Sequence, residues 1–92
     1  MKTFSAMQIS VELTFSPLQD DFDAPISAFI KRLRDSKFTV KENPLSTQVY
    51  GEYSELMPFL TAEIEKAFEA TDHALVYMKL VNSNRSDYTP DF

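Results

Sequence analysis

Asn43-Pro44-Leu45-Ser46-Thr47-Gln48-Val49-Tyr50-Gly51-Glu52 is the stretch that decides the fold. Asn43-Pro44 is a turn signal, and a proline has no N–H to give to a sheet ladder, so Pro44 belongs in the turn or at an edge. Beyond it the residues alternate. Leu45, Thr47 and Val49 share one face, and Ser46, Gln48, Tyr50 and Glu52 share the other, which predicts a strand over 45–52. On the other side of the turn, Phe38 and Val40 alternate with Lys37, Thr39 and Lys41, so a second strand leads into it. The two runs make a hairpin. Its return strand reaches Gly51, the only glycine in the chain, and a helix begins near Ser54.

Working outward, both flanks of the hairpin are helical. Upstream, Ile26, Phe29, Ile30 and Leu33 recur at helical spacing, while Lys31, Arg32, Arg34 and Asp35 face away. Asp23-Ala24-Pro25 marks the start, with Asp23 as an acidic cap candidate, and the helix should stop near Ser36. The late cations suit the negative end of the helix dipole. Downstream, Leu56, Leu60, Ile64, Ala67 and Phe68 define the apolar face of a second helix, with Ser54 as a cap candidate. Pro58 cannot bond back four residues, so regular helix is expected to begin only after a short turn.

A strand lies beyond each helix. In residues 7–15, Ile9, Val11, Leu13 and Phe15 alternate with Gln8, Ser10, Glu12 and Thr14, and Ser16-Pro17 is expected to end the strand. Residues 74–82 form the last strand, with Val76, Met78 and Leu80 opposite Leu75, Tyr77, Lys79 and Val81. The order β-α-β-β-α-β predicts an α+β, ferredoxin-like domain. It has a four-stranded antiparallel sheet in the order 4-1-3-2 and both helices on one face. The helices would cover Ile9, Val11, Leu13, Val49 and Val76. The open face would show Ser10, Glu12, Gln48, Tyr50, Tyr77 and Lys79. Residues 1–92 are read as one domain with its core in 7–82. The polar tail 83–92 is read as flexible, or as ordered only against a partner subunit.

Composition narrows the chemistry. The chain has 92 residues, a net charge of −5 and no cysteine. The acidic balance disfavours nucleic acid and anionic membranes, which call for clustered Lys and Arg. Lack of cysteine removes disulfides and thiol chemistry and fits a reducing compartment. No apolar run approaches the ~20 residues of a membrane span. Met1–Met7 lacks the apolar segment of a signal peptide, so a cytoplasmic protein is expected. A chain this short buries a modest core, which makes a homo-oligomer a reasonable expectation.

Catalytic patterns are poor. His73, the only histidine, sits beside Asp72 at a helix-to-strand junction and is read as solvent-facing. Asp20, Asp21 and Asp23 lack the spacing and central glycine of a calcium loop. No glycine-rich segment could cradle phosphate, and no nucleophile has a base to activate it. An acylphosphatase-like enzyme would need an anion-receiving loop after the first strand, where Ser16-Pro-Leu-Gln-Asp-Asp21 is acidic. An RNA-binding domain of this topology would need basic, aromatic strands where Ser10 and Glu12 stand. No enzyme activity is therefore expected.

The open sheet face remains. Glu12 should lie between Lys79 and Gln48, close to Ser10 and Tyr50. One reading is a cross-strand Glu12–Lys79 pair, worth about 0.2–1 kcal/mol, on a face used for subunit packing. The other is a pocket whose carboxylate, amide, hydroxyls and tyrosines would suit a cationic heteroaromatic ligand.

Two segments carry a family resemblance. Ile9-Ser-Val-Glu-Leu-Thr-Phe-Ser-Pro-Leu18 resembles the opening strand, and Pro44-Leu-Ser-Thr-Gln-Val-Tyr-Gly51 the Pro-hydrophobic-(Ser/Thr)-Thr-x-(Val/Ile)-x-Gly segment, of the YkoF-like proteins. These are small ferredoxin-like proteins that bind thiamine or hydroxymethylpyrimidine. The likeness spans roughly residues 8–82. It implies a non-catalytic binder of thiamine or its hydroxymethylpyrimidine precursor, assembled as a dimer or tetramer and needing no other cofactor. It also implies that Ser46 and Thr47 contact the ligand. Thr47 has a second reading as a core threonine, and Ser46 and Thr47 should point to opposite sheet faces. A site drawing on both would lie near the start of the strand or at a subunit boundary. The chain departs from the family at Ser36-Lys37-Phe38, where a glycine is common, and at Pro58. The alternative function is a ferredoxin-like oligomerisation or regulatory module with no small-molecule ligand, since this topology serves many roles.

Overall fold

The computed structural model describes residues 7–92, so the leader reading of Met1–Met7 lies, Met7 aside, outside the described residues. The elements are β1 (Gln8–Pro17), α1 (Asp23–Arg34), β2 (Thr39–Glu42), β3 (Thr47–Glu52), α2 (Tyr53–Glu69) and β4 (Ala74–Val81). The four strands form one antiparallel sheet in the order β2-β3-β1-β4. This is the ferredoxin-like arrangement, read from its other edge. The central pair of strands is set by hydrophobic matching. Val11 lies opposite Val49 on β3 and Leu80 on β4, and Leu13 lies opposite Thr47 and Met78.

The core forms between the inward face of the sheet and the two helices. Ile9, Val11, Leu13, Phe15 and Val49 from the sheet meet Phe29 and Leu33 of α1 and Leu56, Leu60 and Ala67 of α2. Phe15 and Phe29 pack with ring centroids 5.2 Å apart in a tilted pair. Val76, expected in the core, is partly buried against it, because β4 lies at the sheet edge. Phe68 departs from expectation and is 45% exposed. The inward position on that turn of α2 belongs instead to Ala67, and one turn earlier the same buried stripe takes in a charged residue, Glu63, only 6% exposed. Its carboxylate receives Arg32 Nε of α1 at 2.5 Å and Lys66 Nζ at 3.3 Å, and the backbone carbonyl of Glu63 accepts Arg32 Nη2 at 3.3 Å. A buried charge is tolerated when it is paired in this way, and this pair fastens one helix to the other.

Several boundaries differ from the sequence reading, each for a local reason. β1 runs on through Ser16 and Pro17, which pair with Leu75 and Ala74. At the last strand position the missing proline N–H removes little. β3 begins at Thr47 rather than residue 45. The Asn43 side-chain oxygen accepts the N–H groups of Leu45 (2.8 Å) and Ser46 (3.0 Å), and Asn43 N–H donates to the Ser46 carbonyl at 3.1 Å. This Asx turn takes up residues 43–46 and leaves Leu45 85% exposed instead of sharing the inward face. α2 is continuous from Tyr53 through Pro58, with no preceding turn. Pro58 is exposed, while Leu56 and Leu60 on either side of it are fully buried and anchor that part of the helix. Neither cap candidate caps. The Ser54 hydroxyl donates to the Glu52 carboxylate at 2.8 Å, and Asp23 is the first residue of α1 rather than its cap.

Gly51 owes its identity to a neighbour rather than to a turn, since no glycine has a positive φ. A Cβ there would stand 2.6 Å from Cδ1 of Phe38, whose ring packs on Phe59 at 5.3 Å between centroids.

The tail is attached to its own chain. Ser10 Oγ donates to the Ser83 carbonyl at 2.7 Å and accepts Arg85 N–H at 2.9 Å. Asn84 Nδ2 reaches Gln8 Oε1 at 3.5 Å, and the Lys41 ammonium on β2 donates to the Ser86 carbonyl. Residues 83–86 thus form a strap running from the end of β4 across the open face toward β2.

Candidate functional site

The sheet register brings the open-face residues into rows. One row crosses the sheet as Lys41, Gln48, Glu12 and Lys79, and the next as Thr39, Tyr50, Ser10 and Val81. In the first row Glu12 accepts the Ser46 hydroxyl at 2.9 Å on one carboxylate oxygen and faces Lys79 Nζ at 3.4 Å on the other. Gln48 Nε2 donates to Ser46 Oγ at 2.8 Å, closing a chain Gln48–Ser46–Glu12–Lys79. The Ser46 hydrogen bond and then the Lys79 ammonium hold the Glu12 carboxyl below its ordinary range. Glu12 therefore stays an anion on an exposed face.

Of the six residues read as ligand contacts, Glu12, Ser46 and Gln48 form one bonded group. Tyr50 lies one row away, with the Lys41 ammonium 5.9 Å from its ring centroid. Ser10 was expected on the open surface, but the strap buries it to 8% exposure and takes its hydroxyl both as donor and as acceptor. Thr47 is buried on the helix side of the sheet, so Ser46 and Thr47 do lie on opposite faces.

A cleft reunites them. Where β3 begins only at Thr47, the inward face of β1 is left without a full-length neighbour. A cavity of about 270 Å³ opens there between the 42–47 turn, Leu13–Phe15 of β1, and Ile26 and Ile30 of α1. Its apolar walls are Leu13, Phe15, Ile26, Ile30, Pro44 and Leu45, and its polar groups come from Thr14, Glu42, Asn43, Ser46 and Thr47. Glu42 is held by a two-pronged contact from Arg34, 2.8 Å on each oxygen, which lowers its carboxyl below the usual range. The turn thus presents two hydroxyls, an amide and a carboxylate to an apolar slot, a composition suited to a flat, polar-edged ring. Sequence reasoning offered the open face and, for a site drawing on both Ser46 and Thr47, the start of the strand or a subunit boundary. The cleft lies at that start, and the part of its wall built by Ile26 and Ile30 of α1 was not foreseen. The signal for the cleft was Asn43 ahead of Pro44, whose side chain captures the following N–H groups and so shortens β3.

A second depression, about 330 Å³, lies at the opposite end of the hairpin among Gln8, Phe38, Thr39, Tyr50, Glu52 and the strap's Asn84. His73 is exposed, as read, and its carbonyl accepts Leu18 N–H at 2.8 Å. Among the described residues no three metal-ligating side chains converge, and no helix is long and apolar enough to cross a membrane.

With this geometry in view, the chain can be set beside solved structures. It superposes on the Streptococcus pneumoniae protein SP2199 with a TM-score of 0.76 and 30% identity, over 82% of this chain and 86% of that one. The chain belongs to the family of SP2199. The chain also shares its fold with more distant proteins. One is TM0486 of Thermotoga maritima, a candidate thiamine biosynthesis/salvage protein, at a TM-score of 0.73 and 16% identity over 79% of this chain and 81% of that one. Another is a domain of unknown function, DUF77, from Bacillus cereus, at 0.71 and 15% identity over 94% and 86%. At those identities the likeness is one of fold. No family model and no curated protein sequence matches the chain.

Proposed function

We propose that this member of the SP2199 family is a non-catalytic, cytoplasmic binder of thiamine or its hydroxymethylpyrimidine precursor, and that the pyrimidine ring enters the cleft beneath the 43–47 turn. One observation carries the reading. The segment Pro44–Thr47, on which the likeness to YkoF-like proteins rests, forms a wall of the 270 Å³ cleft. The fold shared with the T. maritima thiamine biosynthesis/salvage candidate supports the same ligand class.

The chemistry is complementary. An aminopyrimidine has apolar faces and donor and acceptor edges. Leu13, Ile26 and Ile30 offer surfaces for the faces, and Ser46, Thr47 and Asn43 offer groups for the edges. The thiazolium of thiamine carries a positive charge, and Glu42 and Glu12 are carboxylates kept ionised at and beside the cleft. No cofactor is needed for such binding.

Calorimetric titration of the purified protein with thiamine and with hydroxymethylpyrimidine tests the reading. Saturable heat with one site per chain is expected. Thr47→Val, which keeps the shape of the side chain but removes the hydroxyl, should weaken binding by roughly 10-fold, the equivalent of one hydrogen bond of ~1.4 kcal/mol. Absence of both heat and thermal shift at millimolar ligand would reject the proposal. The competing reading, an assembly module without a ligand, is favoured by the apolar side chains exposed along β4. It predicts that Glu12→Ala leaves the protein without any ligand-dependent change to lose.

A further inference from the structure

The cleft beneath the 43–47 turn has nothing with which to hold an anion. Of the residues that line it, only Glu42 carries a charge, and none is a lysine or an arginine. The Arg34 guanidinium is spent on Glu42, at 2.8 Å to each carboxylate oxygen. The backbone of the turn is spent as well. Asn43 N–H donates to the Ser46 carbonyl, Pro44 has no N–H, and the N–H groups of Leu45 and Ser46 both go to the Asn43 side-chain oxygen. Successive N–H groups of a turn can cradle an anion, but here a carboxamide oxygen of the chain takes that place. The hydroxyls of Ser46 and Thr14 donate to Glu12 and to the Leu45 carbonyl. Helix α1, whose Ile26 forms part of the wall, starts at Asp23 and has Pro25 in its first turn, so its N-terminus brings a carboxylate and one N–H fewer. Two neutral donors are left. One is the Asn43 amide nitrogen. The other is Thr47, 5% exposed, whose hydroxyl bonds no protein group among the described residues.

We propose that the cleft discriminates by phosphorylation state: it takes its heterocyclic ligand as the free alcohol and turns away the phosphate ester, and the Arg34–Glu42 pair sets that choice. This rests on the thiamine-class reading of the site and adds to it the form of the ligand that is refused. Two neutral donors suit a ring nitrogen or a hydroxyl. A phosphate ester brings about −1.5 to −2 charges at pH 7 and three strong acceptor oxygens. At this cleft it would meet the Glu42 carboxylate, no free cation and no spare backbone N–H. Like charges brought together weaken binding, and a desolvated anion without partners is costly. The effect is graded by where the phosphate sits. On hydroxymethylpyrimidine the hydroxyl is one carbon from the ring that enters the cleft. On thiamine it lies at the far end of the thiazolium side chain, beside a cationic ring that offsets it. Refusal is therefore strongest for the phosphate ester of hydroxymethylpyrimidine.

Calorimetric titration with four compounds tests this: thiamine, hydroxymethylpyrimidine and the phosphate ester of each, at two salt concentrations. At low salt the ester of hydroxymethylpyrimidine should bind at least roughly 10-fold more weakly than the alcohol. The gap should narrow as salt rises, because the repulsion is screened. Two variants break the same ion pair with opposite results for charge. Glu42→Gln removes the anion and frees Arg34 for a phosphate, so the ester should gain on the alcohol by roughly 10-fold. Arg34→Gln leaves Glu42 without its counter-ion, so the ester should lose further ground. If the pair served only to hold the structure, both variants would move the ester-to-alcohol ratio the same way, and that result would overturn the proposal. Equal affinity of the parent protein for alcohol and ester would overturn it too, while leaving the ligand reading in place. Binding of none of the four compounds would overturn both.

Discussion

Gly51 shows how one side chain can be dictated by another. The backbone there is ordinary, with no positive φ, so an alanine would be conformationally acceptable. The obstacle is Phe38, whose ring edge sits 2.6 Å from where the Cβ would be and is backed by Phe59. A ring backed by another does not move freely, and overpacking of this kind costs about 1–3 kcal/mol. Gly51→Ala should therefore lower stability by that amount in urea unfolding. Gly51→Ala combined with Phe38→Leu should recover part of the loss, because the smaller side chain vacates the contact. If the double variant were less stable than the sum of the singles, the clash would not be the cause. The sequence flagged Gly51 as unusual, but its reason was illegible, because Phe38 lies 13 residues away, just ahead of the partner strand β2. Glu63 was hidden in the same way. Its burial depends on Arg32 of the other helix, a partner that no helical periodicity can indicate.

Among the elements, the strap is the one least visible beforehand. Residues 83–86 are polar and carry no period, so nothing local marks them as ordered. Their position is decided by Ser10, which offers one hydroxyl as donor to Ser83 and acceptor from Arg85. The strands and helices were legible because each has a full apolar face: Ile9, Val11, Leu13 and Phe15 in β1, and Leu56 and Leu60 in α2. The ends were less so, because Asn43 and Pro58 act through hydrogen bonds and exposure rather than through pattern. The candidate site divided along the same line. Glu12, Ser46 and Gln48 followed from strand register, whereas the cleft arose from where β3 begins. The strap itself makes a testable element. Ser10→Ala removes both tethers but leaves Ser83 and Arg85 able to bond water, so the loss should be about 1 kcal/mol. Amide exchange at Arg85 should quicken in this variant, while exchange in β1 and β3 stays slow. Unchanged exchange at Arg85 would mean that the tether through Ser10 does not hold the strap.

For the whole molecule, the distribution of charge predicts how stability varies with pH. Glu12, Glu42 and Glu55 are all held below the ordinary carboxylate range, by Ser46 and Lys79, by Arg34, and by Lys37 respectively. The unfolded chain lacks these partners, and its glutamates protonate near their reference value of about 4.3. On acidification the unfolded state thus takes up protons before the folded state does. The binding difference favours unfolding as pH falls. The contribution of the three pairs is present in full above the unfolded value and is lost as pH drops through the lower folded values. All three are well exposed, so each effect is small and weakened by salt. The chain also passes its isoelectric point near 4.7 in this region, which removes the net charge that keeps copies apart in solution. The thermal midpoint should be nearly flat from about pH 8 to 6 and fall progressively below about pH 5. Glu12→Gln, which keeps the shape but cannot ionise, should start lower at neutral pH and fall less steeply on the acid side. Scanning calorimetry of both proteins at dilute concentration and two salt levels measures this. A midpoint that rises on acidification, or a Glu12→Gln curve parallel to that of the parent, would show that the Glu12–Ser46–Lys79 group does not couple folding to protonation.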